Sequence, residues 1–122
     1  MVVRDVLLVL NLVFSVVSAA FCVAAVARPA ALLPAGHRDS DVTSSRFYAW
    51  FYATRQFPLS VAVIVAILAM SARPALAILL TVAGVAQVGD AAIGLRHRNL
   101  GMAAGATVAA VVHIGTAWWW LS

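Results

Sequence analysis

A chain of 122 residues with 65% hydrophobic residues, 10% charged residues and a mean hydropathy of +1.03 holds more apolar surface than a soluble domain of this size can hide from water. Its eight basic side chains are all arginine and its four acids all aspartate, and the arginines are scattered through the connections, which argues against a nucleic-acid-binding face. The single cysteine, Cys22, excludes an intrachain disulfide, a Cys-x-x-Cys redox pair and a thiolate metal cluster, and with them the quinone-linked thiol oxidoreductases of four-helix type.

Four windows are long enough to cross a hydrocarbon core, which takes about 20 helical residues: Val6 to Ala27, Phe47 to Met70, Pro74 to Leu95 and Leu100 to Leu121. Lipid satisfies no stray amide, so each window is expected to be helical. The expected fold is an all-α integral membrane protein, a single four-transmembrane-helix bundle over residues 1–122.

The first window imitates a secretory signal peptide, with Arg4, an apolar stretch and "VVSAA". Its apolar run exceeds the roughly 7 to 15 residues of a signal core, so it reads as a helix. Asn11, Ser15, Ser18 and Cys22 form a small polar stripe on it at heptad spacing, the pattern of helices packed through small and hydrogen-bonding residues.

The second window opens with "FYATRQF", residues 51–57. At about 100° per residue, Tyr48, Tyr52, Arg55 and Leu59 fall on one stripe, with Gln56 a little to its side. Arg55 lies roughly 12 Å in from Phe47. It either snorkels to the headgroups or meets a partner inside the bundle. Trp50 is an interfacial anchor or a lid on the same polar end.

That partner is expected in the third window, in "AQVGDAAIG". Asp90 is the only acid inside any of the four windows, roughly 8 Å in from Leu95, so its depth nearly matches that of Arg55. An isolated charge in a bilayer is costly and a short side chain cannot snorkel far, so Arg55 and Asp90 are expected to meet. Gln87 and Gly94 share the Asp90 face, and Gly94 would let a neighbouring helix or a ligand come close.

In the fourth window His113 is roughly 20 Å from the Leu100 end, deep enough to share a layer with Asn11. Its face carries Met102, Ala106 and Ala109, small or flexible side chains that leave room for a ligand. A purely structural, hydrogen-bonded His113 is the other reading. Among the last residues, Trp118 and Trp119 read as interfacial anchors, while Trp120 falls on the His113 face.

Connections one and three carry Arg28, Arg38, Arg46, Arg96 and Arg98, against Arg4 and Arg73 at the amino terminus and in connection two. The positive-inside rule then puts connections one and three in the cytoplasm and both termini outside, in a multi-pass inner-membrane protein.

From Phe51 onward the stretches "ATRQ" and "QVGDAAIGLRHR" resemble an uncharacterised family of small four-helix bacterial membrane proteins, broadly DoxX-like. There helix two opens with G-x-R-D and helix three carries P-V-G-D-A before a short basic turn. The likeness covers helices two to four, with V-G-D-A its more specific element. Here Gln56 follows the arginine in place of an acid, and Gln87 replaces the proline. The resemblance implies a four-helix membrane fold and no particular reaction.

Two classes of function fit these residues. The first is a small membrane enzyme for a lipophilic molecule, working without a cofactor or metal. In it Asp90 is the general acid or base, while Arg55 steadies an oxyanion and Tyr52 completes the donors. Tyr48, Trp50, Gln56, Gln87, His113 and Asn11 would line the substrate. Isomerisation, cyclisation and epoxide opening each ask for such proton transfer in a dry pocket. The second class is a non-catalytic scaffold or accessory subunit, or a small-molecule transporter. Transport fits less well, because the small-multidrug type uses a glutamate in helix one and only Asn11 is offered there. Expected partners are the lipid bilayer and a lipophilic small molecule, with association into a homo-oligomer left open.

Overall fold

A computed structural model describes residues 2–29, 42–69 and 72–122. It contains four α-helices: α1 (Val2–Ala27), α2 (Val42–Leu68), α3 (Arg73–Arg96) and α4 (Leu100–Leu121). All four are long and apolar enough to cross a membrane, so the chain is a multi-pass membrane protein built as a helical bundle. Large apolar side chains such as Val16, Phe21, Ile78 and Val111 stand on the outside, where lipid, not water, is the solvent.

Two helices start about a turn or more before their apolar windows, and α3 a single residue before its own, at Arg73. The α1 helix begins at Val2 instead of Val6, and α2 at Val42 instead of Phe47, while its apolar span starts at Arg46. Backbone hydrogen bonding carries a helix past the hydrocarbon edge wherever no breaker intervenes, so hydropathy marks the span and not the helix. Met70, the expected end of the second window, and most of connection one lie outside the described residues.

The helices form two hairpins. The α3 and α4 helices are packed along their length, as are α1 and α2, while α2 touches α3 and α1 touches α4 over narrower strips. Close approach of α3 to α4 depends on two glycines. A Cβ on Gly94 would stand 2.8 Å from the backbone nitrogen of Ala103, and one on Gly84 would run into the side chain of Ile114. Gly94 thus does what its position in the sequence suggests, admitting a neighbouring helix.

The "RHRN" turn between them is built by local backbone chemistry. Arg98 takes a left-handed φ of 55°, its N–H donates to the carbonyl of Leu95 at 3.1 Å, and the N–H of Asn99 donates to that of Gly94 at 2.8 Å. This paired pattern satisfies carbonyls left over at the end of α3. Asn99 then starts α4 by accepting from the N–H of Met102 at 3.1 Å.

The apolar core sits toward the end of the bundle that carries the termini, around Val63, Leu76, Ala77, Leu80, Ala83 and Ala117, with Leu8 and Trp120 packed against it. Beside and beyond that core the interior turns polar. Asn11, Ser15, Gln56, Ser60, Gln87, Asp90, His113 and Thr116 are all buried. So much interior polarity in a membrane bundle is costly unless it is paired or used.

Candidate functional site

The inward face of α2 is set by small side chains. Ala49, Ala53, Gln56, Ser60 and Val63 are buried, at the spacing of one helical stripe. The stripe of Tyr48, Tyr52, Arg55 and Leu59 lies along its edge instead: Tyr52 and Leu59 are half-buried and Tyr48 is exposed. Alanines let α2 approach α1 closely, which a row of tyrosines would prevent, so helix packing rotates the aromatic row outward.

From that edge Arg55 reaches the interior. Its Nη2 donates to Oδ1 of Asp90 on α3, so the pairing expected from the matched depths forms. The two ends differ in setting: 44% of the Arg55 side chain is exposed against 4% of Asp90. The guanidinium also lies over the Tyr52 ring, 5.9 Å from its centroid, and Tyr52 meets Phe21 of α1 edge to face at 6.2 Å. A cation above an aromatic face is attracted by the ring quadrupole, so Tyr52 helps hold Arg55 in place. The second carboxylate oxygen, Oδ2 of Asp90, is buried and has no hydrogen-bond partner among the described residues.

Gln56, the residue after Arg55 on α2, is buried, and Gln87 is buried about one turn before Asp90 on α3. Deeper still, α1 and α4 are tied by a polar network. The Asn11 amide Nδ2 donates to the carbonyl of Leu7 at 2.7 Å and to Oγ1 of Thr116 at 2.8 Å. Thr116 in turn donates to the carbonyl of Val112 at 2.7 Å. Asn11 Oδ1 lies 2.6 Å from Nδ1 of His113. Both carbonyls can only accept, so the amide orientation is determined and Nδ1 of His113 is the donor.

The sequence-derived site residues therefore divide. Arg55, Asp90 and Tyr52 form one cluster joining α2 to α3. Gln56, Gln87, His113 and Asn11 are buried in the interior beyond it. Tyr48 and Trp50 do not join either group. At 66% and 60% exposure they face outward near the end of the apolar span, the position of interfacial anchors. Ser60 and Thr116 were not singled out from the sequence, yet both are buried in the polar interior. Their signal was present: Ser60 follows Gln56 by four residues and Thr116 follows His113 by three, so each repeats the face of a residue already noted.

Among the described residues no group of three or more histidine, cysteine, aspartate and glutamate side chains is placed to hold a metal ion. No family model matches the chain, and neither does any curated protein or solved structure.

Proposed function

We propose that the chain is a small inner-membrane enzyme that moves a proton within a lipophilic molecule, using Asp90 as the proton carrier and no cofactor. The resemblance to the DoxX-like family supplies no reaction, so the reading rests on one observation. Asp90 is buried in a membrane span with one oxygen bound by Arg55 and the other, Oδ2, without a partner among the described residues. A carboxylate with one oxygen oriented and the other free is arranged as a general base.

The chemistry is an isomerisation. Asp90 Oδ2 takes a proton from a carbon next to a carbonyl, and the electron pair of that C–H bond moves onto the carbonyl oxygen. Arg55, whose guanidinium is half-exposed beside the acid, and the Tyr52 hydroxyl donate to the resulting oxyanion. Asp90 exchanges its proton with water and then delivers a proton to another carbon, so the substrate loses one proton and regains one. Cyclisation and epoxide opening use the same two functions with the order of proton transfer changed. A substrate dissolved in the bilayer reaches the pair sideways, where α2 and α3 touch only over a narrow strip. In the proposed orientation connections one and three face the cytoplasm and both termini face out.

The test is proton exchange. Membranes containing the protein are incubated in heavy water with a lipophilic β,γ-unsaturated ketone, and deuterium uptake and double-bond migration are read by mass spectrometry. Asp90→Asn should keep the fold and lose both signals. Equal turnover in that variant would remove the acid–base role.

A second reading, a non-catalytic bundle whose polar groups fix helix register, is favoured by the Asn11, His113 and Thr116 network. There the Asn11 amide and the Thr116 hydroxyl are fully used in joining α1 to α4.

A further inference from the structure

Between the two hairpins, at mid-depth, runs a crevice lined by Ser15 and Ser18 of α1, Gln56 and Ser60 of α2, Ala83 of α3 and His113 of α4. It is too narrow as it stands to admit a water molecule. Two of its lining side chains are nonetheless unsatisfied: Oε1 of Gln56 and Oγ of Ser60 are buried and make no hydrogen bond among the described residues. Both residues are at least nine-tenths buried. His113 also lines the crevice and offers an acceptor. Its Nδ1 proton is committed to Asn11, so in the neutral ring Nε2 carries a bare lone pair. Stranded polar groups in a membrane interior are destabilising and call for an occupant or a use.

We infer that this crevice is a binding site for the hydroxyl group of a neutral lipophile, held by Ser60, Gln56 and His113. A hydroxyl is both donor and acceptor, which is what the three groups need together. Its proton answers the His113 lone pair or Gln56 Oε1, and its oxygen accepts from the Ser60 hydroxyl. An ether or ketone lacks the proton. An ionised head would enter a lining with no counter-charge, because every side chain around it is neutral or an imidazole. As a deepening of the proposed reaction, on which this clause rests, the hydroxyl is the inner anchor of the same substrate. Ser60 lies five residues beyond Arg55, about 7 to 8 Å further in, so the reacting carbonyl and the hydroxyl would be separated by that span.

Entry requires the hairpins to part slightly, and two features make that inexpensive. They lean on each other through narrow strips, and Pro58 interrupts α2 between Gln56 and Ser60, removing the hydrogen bond to the Thr54 carbonyl where a helix bends most readily.

The experiment uses full-length protein in lipid nanodiscs and decanol carrying an aliphatic diazirine, with its methyl ether and the matching decanoic acid as controls. Photolabelling followed by peptide mapping should mark residues around Ser15 to Ser18 or Leu59 to Val63, competed by plain decanol. The ether and the acid should label about tenfold less, the scale of one lost hydrogen bond. Ser60→Ala and Gln56→Met should lower labelling by the same order. Ser60→Ala should also raise the thermal transition of the empty protein, since it deletes an unpartnered hydroxyl. Equal labelling by the ether, unchanged labelling in both variants, or a lowered transition in Ser60→Ala would each overturn the inference. Asp90→Asn separates the two readings: it should retain alcohol labelling whatever happens to turnover. Loss of labelling there with the fold intact would overturn the independent crevice site.

Discussion

Arg55 and Asp90 are joined across α2 and α3 by a bond whose two ends live in different surroundings, the guanidinium 44% exposed and the carboxylate 4% exposed. Removing either partner therefore leaves unequal remnants. A stranded Arg55 can turn toward the headgroups, whereas a stranded Asp90 has nowhere to go. Arg55→Ala is expected to destabilise the protein by about 3 kcal/mol, and Asp90→Ala by only about 1 kcal/mol. Denaturant titration in mixed micelles of the two single variants and the double variant measures both costs and their coupling.

The α1 to α4 network makes a second stability prediction. Asn11→Leu leaves the Nδ1 proton of His113 without its acceptor, at an expected cost of about 1 to 2 kcal/mol. Asn11→Leu combined with His113→Leu should recover part of that loss, because no polar group then remains unpaired. A double variant as unstable as the sum of the singles would contradict the pairing.

Helix spacing can be tested at glycines of contrasting surroundings. Gly94→Ala drives a methyl into the backbone of Ala103, which cannot move aside as a flexible side chain would. A loss of about 1 to 3 kcal/mol is expected. Gly105→Ala meets nothing within 4 Å, so it should be neutral or gain up to about 1 kcal/mol from helix propensity. The same unfolding titration distinguishes them.

For the proposed reaction, Tyr52 and Tyr48 should behave differently. Tyr52→Phe removes a donor next to Arg55 and is expected to slow turnover by up to about a hundredfold, on the order of 3 kcal/mol. Tyr48→Phe should leave turnover unchanged, because Tyr48 is exposed on the outside of α2. Rates of double-bond migration in the ketone assay decide, and a strong Tyr48 effect would bring the outer aromatic row back into the site.

The orientation is testable by labelling. In a Cys22→Ala background, a membrane-impermeant thiol reagent added from outside should reach a cysteine at Ser122 and miss one at His97, in the arginine-rich turn between α3 and α4. The opposite pattern would invert the proposed topology.

How much of this was legible in the sequence follows from which physics each feature uses. Four spans, their helicity and their order depend on local hydropathy and on the refusal of lipid to hydrogen-bond a backbone, both of which can be read along a single chain. The meeting of Arg55 and Asp90 was legible too, because depth is a count of residues at a constant rise, and only one acid lay at the matching level. Close approach at Gly94 was visible for a similar reason, as a missing side chain on the Asp90 face. Rotation of α2 was not visible. Both the tyrosine stripe and the alanine stripe recur at helical spacing, and only the partner helix decides which is buried. That choice sends Tyr48 and Trp50 outward and turns Ser60 inward. The hydrogen bonds of Asn11 to Thr116 and His113 join residues more than a hundred positions apart. Sequence depth placed them in one layer, but side-chain direction across the bundle, and with it the open lone pair of His113 and the unpartnered hydroxyl of Ser60, was decided by tertiary packing alone.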